Sequence, residues 1–360
     1  MAIKMNGLSI KLLSHPGETL KEVLEHENMN QNELAIRIGL DKKTINQICN
    51  GFARISHETA FKLEKIFNLP ASFWNNLQSN YDETMLRLKE IETITNEERN
   101  ILKNFPCKEL IKFGYISPST DKNILILSLR KFFKITNLNF ATELYKLPAL
   151  YRKSNNKENP FAIAAWLRIC EIKTDIEELP SFNKDLLNKN LDKIKNLNLI
   201  DINTGVKELK NIFKTCGVSF NVIDNLPGAP TQGIICNMGN KLRLCLTIRQ
   251  KYADIFWFSL FHEIGHLLTI KKDYWNMTSI EEKANLEYEK AADLFASSYL
   301  LDTQGYEDLT QNNITEFSIR KFAEENNVIP GIVVGRLQHD KFINYNHFND
   351  LRLKYEWEKF

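Results

Sequence analysis

Residues 255–270 read IFWFSLFHEIGHLLTI, an apolar run whose length and composition predict a buried helix, yet it carries His262, Glu263 and His266. Two imidazoles and a carboxylate left unpaired in a core would cost on the order of several kcal/mol, so something must partner all three at once. Histidines four apart share one helix face, and a glutamate beside the first can reach a water held between them. This H-E-x-x-H spacing suits a zinc ion with Glu263 as general base. The competing reading, a histidine pair bonded to backbone, must also satisfy Glu263.

A hydrolytic zinc site uses three protein ligands and keeps one position open, so a third ligand must come from elsewhere. Residues 279–302, SIEEKANLEYEKAADLFASSYLLD, predict a helix from about Ile280 to Leu301. At about 100° per residue, Glu289 shares a face with Ala292, Asp293, Ala296 and Leu300, whereas Glu287 points about 160° away. Glu289 is therefore the preferred third ligand, and Asp293, one turn on, can orient a histidine through its other ring N–H. Glu282, near the same face two turns earlier, is the fallback. Tyr252, Arg336 and His339 are candidate donors to a developing oxyanion, and spacing does not choose among them. Upstream, CGVSFNVI, TQGIICNM and KLRLCLTI alternate around an M-G-N turn, which predicts an antiparallel hairpin in a small sheet.

The N-terminal stretch differs. Residues 18–90 predict short helices: ETLKEVLEHE, QNELAIRI ending at Gly39, DKKTINQIC with Asp41 as N-cap, and HETAFKLEKIF with Ser56 as N-cap. A short helix, a glycine turn and a second short helix are the ingredients of a helix-turn-helix, though a protein-binding helical bundle shares them. Residues 1–80 hold nine Lys/Arg against eight Asp/Glu, so attraction to phosphate rests on where Arg37, Lys42, Lys43 and Arg54 stand. The chain's net charge of +2 adds nothing to that.

Between these regions, helices alternate with polar loops such as RKSNNKENP, and no chemical constellation stands out. Arg152, Trp166, Arg168 and Glu171 read there as ordinary residues of amphipathic helices. The expected division is 1–90, 91–215 and 216–360. Six scattered cysteines without a C-x-x-C pair read as buried thiols in a reducing compartment. With no apolar leader and no span of about 20 apolar residues, a cytoplasmic protein without a membrane partner is expected.

HPGETL, NELA, ICNG and FWNNLQSNYD together resemble the Xre-type helix-turn-helix of HigA-like antitoxins over most of residues 15–82. That resemblance implies double-stranded operator DNA as partner and Asp41–Cys49 as recognition helix. Lys42, Lys43 and Gln47 would meet base edges, while Gln31 caps the preceding helix against a phosphate. Two half-sites would favour a homodimer. FWFSLFHEIGHLL with EKAADLFASSYLL resembles the ImmA/IrrE metallo-endopeptidases and their gluzincin arrangement, and VIPGIVVGRLQHD resembles the tail of chains joining the two. SSYLLD departs from the family's small-and-proline ending at that place.

The second resemblance implies zinc held by His262, His266 and Glu289, Glu263 as base, Asp293 behind a ligand, and a regulatory protein, repressor or toxin partner, as substrate. The expected fold is multidomain: an all-α helix-turn-helix domain, a helical middle region and an α+β gluzincin-like metallopeptidase domain with a small sheet. The expected function is an antitoxin-type transcriptional regulator fused to a zinc endopeptidase. The alternative is a non-proteolytic repressor whose metal domain is structural or partner-binding.

Overall fold

Apolar residues recurring every three or four positions in the first hundred residues fold as short helices, each burying one stripe. The structure, a computed structural model, describes residues 4–5, 8–9, 14–145, 159–174, 178–229, 232–238, 241–247, 251–269 and 282–356. It divides into two compact units, 1–99 and 100–360. Arg152 and the RKSNNKENP loop up to residue 158 lie outside the described residues, as does the side chain of Glu282.

The first unit holds a short ladder, β1 (Lys4–Met5) with β2 (Leu8–Ser9), and five helices: α1 (Pro16–His26), α2 (Gln31–Ile38), α3 (Lys42–Cys49), α4 (His57–Phe67) and α5 (Ala71–Lys89). Leu20, Leu34, Ile45, Ile48, Leu63 and Trp74 close one core among these helices. Ser56 caps α4 as expected, its hydroxyl accepting from the Thr59 N–H. Asp41 stands at the N-cap of α3, but its side chain makes no capping hydrogen bond. Asn30, not Gln31, caps α2 by accepting from the Glu33 N–H at 2.9 Å; Gln31 is the first helical residue.

Helix α6 (Asn96–Ile101) crosses the division in the chain. The second unit continues with α7 (Cys107–Lys112), α8 (Lys122–Phe133), α9 (Phe140–Leu144), α10 (Pro160–Thr174), α11 (Lys184–Lys189), α12 (Leu191–Asn196) and α13 (Ile202–Thr215). Strands β3 (Ser219–Ile223), β4 (Gly233–Met238) and β5 (Lys241–Thr247) follow, then α14 (Ala253–Thr269), α15 (Glu282–Leu300), α16 (Thr303–Gln311), α17 (Glu316–Glu325) and α18 (Pro330–His339).

The sheet order is β3-β5-β4. The β4–β5 hairpin is antiparallel as expected, while β3 pairs parallel with β5, Phe220 opposite Leu244. Leu242, Leu244 and Leu246 alternate toward the core shared with α13 and α14. The other face is not wet, because Arg243 and Cys245 are also buried. There Arg243 Nε donates to the Thr174 hydroxyl at the end of α10, and Cys245 meets Cys170. Helix α10, read from sequence as amphipathic, is buried nearly all round. Its Arg168 donates to the Phe132 carbonyl at 2.7 Å and pairs with Glu171. Segment 100–215 thus shares a compact unit with the sheet.

All six cysteines are free, and all but Cys107 are buried. Among the described residues no helix is long and apolar enough to cross a membrane.

Candidate metal centre and nucleic-acid interface

Helix α14 runs beneath the sheet, and α15 packs closely along it at Gly265. A Cβ built there would stand 3.0 Å from Ala292 Cα and 3.2 Å from Phe295 Cδ1, so any other residue would push the two helices apart by a few tenths of an ångström. The close passage brings Glu289 to the histidines: ligand atoms of His262, His266 and Glu289 all lie within 4.8 Å of one another. The two Nε2 atoms are 3.0 Å apart, and Glu289 Oε2 and Oε1 stand 3.4 and 3.2 Å from those of His262 and His266.

Asp293 lies on the far side of the His262 ring, its Oδ1 2.8 Å from Nδ1. A carboxylate only accepts, so Nδ1 carries a proton and the His262 Nε2 faces the other two residues. Asp293 therefore orients a histidine rather than closing a fourth position. Both Glu289 oxygens and His266 Nδ1 are buried without a hydrogen-bond partner. A buried carboxylate with no hydrogen-bond donor, facing two imidazole nitrogens, is an arrangement that a cation among the three would satisfy. Tetrahedral zinc ligands at about 2.0–2.1 Å stand ~3.3 Å from each other, which matches the spacings of this trio. The donor set fits a divalent transition metal, and two imidazoles with one carboxylate favour zinc over magnesium or calcium.

Burial opposes charge on His262, but the Asp293 and Glu289 carboxylates outweigh it and push its pKa up to about 10. Burial also opposes charge on Glu289, yet its histidine neighbours bring it down to about 2. Glu263 goes the other way: buried beside the trio without joining it, its carboxyl is raised by desolvation, which the neighbouring histidines only partly offset. Its side chain lies under Gly233, at the start of edge strand β4. A Cβ there would stand 2.7 Å from Glu263 Oε1 and 2.7 Å from Leu246 Cδ2.

Of the oxyanion candidates, Tyr252 is covered by Arg352 at 4.2 Å and Lys354 at 4.9 Å. Arg336 and His339 share a cavity wall with Asp293, and both pair with Asp340, at 2.6 and 3.0 Å. Sequence reasoning missed Gly233 and Gly265. The signal for Gly265 was a glycine inside a helical pattern, which usually has a packing reason.

In the first unit, Lys42, Lys43, Asn46, Gln47 and Asn50 make the exposed face of α3. Gln31 lies beside it, its Oε1 accepting from Asn46 Nδ2 at 3.2 Å, and Asn46 Oδ1 accepts from Asn50 Nδ2 at 3.1 Å. The sequence reading missed this amide chain, whose spacing of one helical turn was visible. Arg37 and Arg54 pair with Glu33 and Asp82, each at 2.6 Å, so Lys42 and Lys43 are the cations of that set left on the α3 face.

Residues 20–74 match the helix-turn-helix family model, and residues 252–338 match the IrrE N-terminal-like domain model. The chain is 33% identical over 88 residues to the uncharacterized HTH-type transcriptional regulator YbaQ of Escherichia coli, covering 22% of this chain and 78% of YbaQ. It is 32% identical over 98 residues to the HTH-type transcriptional regulatory protein PH1808 of Pyrococcus horikoshii, covering 27% of this chain but only 29% of that relative. Among solved structures, the antitoxin HigA of Pseudomonas aeruginosa, with the higBA promoter, matches 21% of this chain and 86% of its own at 33% identity, with a TM-score of 0.21. Through its N-terminal domain the chain belongs to the HTH-type transcriptional regulators, and it joins that domain to an IrrE N-terminal-like domain.

Proposed function

We propose that the chain is an antitoxin-type, DNA-binding regulator whose second unit is a zinc-dependent endopeptidase acting on a regulatory protein, a repressor or toxin partner. One observation carries the peptidase reading: His262, His266 and Glu289 turn three metal-ligating atoms toward one another within 4.8 Å, with both carboxylate oxygens buried and without hydrogen-bond partners. Bound there, zinc would supply Lewis acidity, acidifying water and polarising a carbonyl.

The protein's own groups do the rest. Asp293 fixes the His262 ring. Glu263, whose raised carboxyl readily holds a proton, takes one from the attacking water at its Oε and hands it to the leaving amine. An extended substrate would lie along the unpaired edge of β4, above Glu263. In the first unit, Lys42, Lys43 and Gln47 would meet operator bases and phosphates, with Gln31 at the start of α2, where helix N–H groups suit a phosphate. Two copies would read two half-sites.

Metal analysis of wild type and Glu263→Gln, with digestion of the proteins encoded beside it, tests this reading. Retained zinc with lost cleavage assigns Glu263 as base. Zinc retention without cleavage by wild type would instead favour the non-proteolytic, partner-binding repressor.

A further inference from the structure

Residues 100–135 carry seven Lys/Arg against two Asp/Glu, an excess of five in a chain whose whole net charge is +2. Arg130 is buried, whereas Lys103, Lys108, Lys112, Lys122, Lys131 and Lys134 are all exposed. Among the described residues none of these six lysines forms an ion pair. Several exposed cations elsewhere do: Lys62 meets Glu58, Arg320 meets Glu316 and Lys321 meets Glu325, each about one helical turn away.

Helices α7 and α8 rest on one aromatic cluster, in which Phe105 meets Phe133 at 5.7 Å and Tyr115 meets Phe132 at 5.8 Å. The second contact ties the end of α7 to the end of α8. Lys112, Lys131 and Lys134 each lie within three residues of it, and Lys108 stands one turn before Lys112. Four cations are thereby gathered at one place on the second unit.

Helix electrostatics accounts for part of this, since Lys131 and Lys134 close the C-terminal end of α8 and offset its dipole. Lys122, at the first position of the same helix, opposes that dipole, so helix stability does not explain the excess. A polyanion does. Duplex DNA carries one charge about every 1.7 Å of its axis, and each phosphate met by a lysine releases a counterion. The first unit supplies little of that attraction, because Arg37 and Arg54 are already paired. A duplex held by the first unit is also presented to the second at high effective concentration, so contacts too weak to hold DNA alone still add to the whole.

We propose that the lysines at the joined ends of α7 and α8 form a second, sequence-independent surface for the phosphate backbone of double-stranded DNA. The inference rests on the DNA-binding reading above, and its test separates the two. Fluorescence anisotropy of the full-length chain with a mixed-sequence duplex of about 30 base pairs is followed at several salt concentrations. Lys112→Gln, Lys131→Gln and Lys134→Asn are combined, with asparagine at 134 because that residue has a φ of 56°. This triple should weaken binding roughly ten- to hundredfold at about 50 mM salt and lower the slope of log affinity against log salt by about 2–3. Replacing the same three lysines by arginine should preserve binding. Lys184→Gln, Lys189→Gln and Lys193→Gln, which remove equal charge from exposed sites on α11 and α12, should change affinity by less than about threefold.

Equal losses from the two glutamine triples, or none from either, would overturn the surface. If Lys42→Ala with Lys43→Ala then still weakened binding, the recognition helix would stand without it. A triple that keeps DNA but loses poly-L-glutamate would assign the lysines to an acidic polypeptide and overturn the proposal. Failure of the wild type to bind duplex even at low salt would remove the DNA-binding reading and the surface together.

Discussion

Replacing Gly265 by alanine should loosen the metal as well as the fold. The added Cβ would stand 3.0 Å from Ala292 Cα, 3.2 Å from Phe295 Cδ1 and 3.3 Å from the Ala292 carbonyl oxygen. Contacts this short require α15 to give by a few tenths of an ångström. Overpacking of this kind costs about 1–3 kcal/mol, while alanine inside a helix returns about 1 kcal/mol relative to glycine, leaving a net loss of about 0–2 kcal/mol.

Glu289 lies one turn before Ala292 on α15 and moves with it, away from histidine nitrogens now 3.2 and 3.4 Å from its oxygens. Metal sites hold ligand distances within about 0.2 Å, so a shift of a few tenths already reaches what the site tolerates. Zinc affinity should fall roughly ten- to hundredfold, the scale seen when support for a ligand is removed. Competition against a chromogenic chelator measures that loss, and urea unfolding in excess EDTA measures the stability of the metal-free form. Zinc affinity within about twofold of wild type would refute the claim that Gly265 sets the helix separation.

Asp293→Asn should retain the fold and lower zinc affinity roughly ten- to hundredfold, because the carboxylate that fixes His262 becomes an amide; the same chelator competition reads it. Lys42→Ala with Lys43→Ala should weaken operator binding more than binding to unrelated DNA and reduce the salt slope by up to about 2, measured by fluorescence anisotropy at several salt concentrations. Glu171 is opposed by burial, but Tyr145 and Arg168 hold its carboxyl below the ordinary range. A depressed folded pKa contributes stability above the unfolded value, lost as pH falls through the folded one, so Glu171→Gln should flatten the acid side of the stability curve. Urea midpoints at pH 6 and near pH 3.5 check this; an unchanged difference between them would contradict it.

The geometry of the candidate site was legible wherever its residues share one helix. His262, Glu263 and His266 follow from spacing alone, and the α15 face that carries Glu289 and Asp293 follows from a rotation of about 100° per residue. The hairpin and the Ser56 cap were readable for the same reason, since each is local. What escaped was long-range. Leu242, Leu244 and Leu246 alternate as if the other face of β5 met water, yet α10, some seventy residues earlier in the chain, covers Arg243 and Cys245. Nothing local to β5 announces that partner. Asn30 displaced Gln31 as cap because a shorter amide one residue earlier reaches the Glu33 N–H directly. The cations that stand over the Tyr252 ring, Arg352 and Lys354, come from about a hundred residues later in the sequence, and nothing local to Tyr252 announces them.

Gly233 and Glu263 form a pair that inheritance cannot easily split. Any other residue at 233 carries a Cβ, and a Cβ there meets the Glu263 carboxylate and the Leu246 side chain, each at 2.7 Å, so a larger residue fits only where both side chains give way. In descendants of this chain, loss of the glutamate should remove one of these two constraints on the glycine. Under the peptidase reading proposed above, a bulky residue opposite Leu246 on the edge strand would then mark, from sequence alone, a lineage that has kept the fold and lost the proposed base.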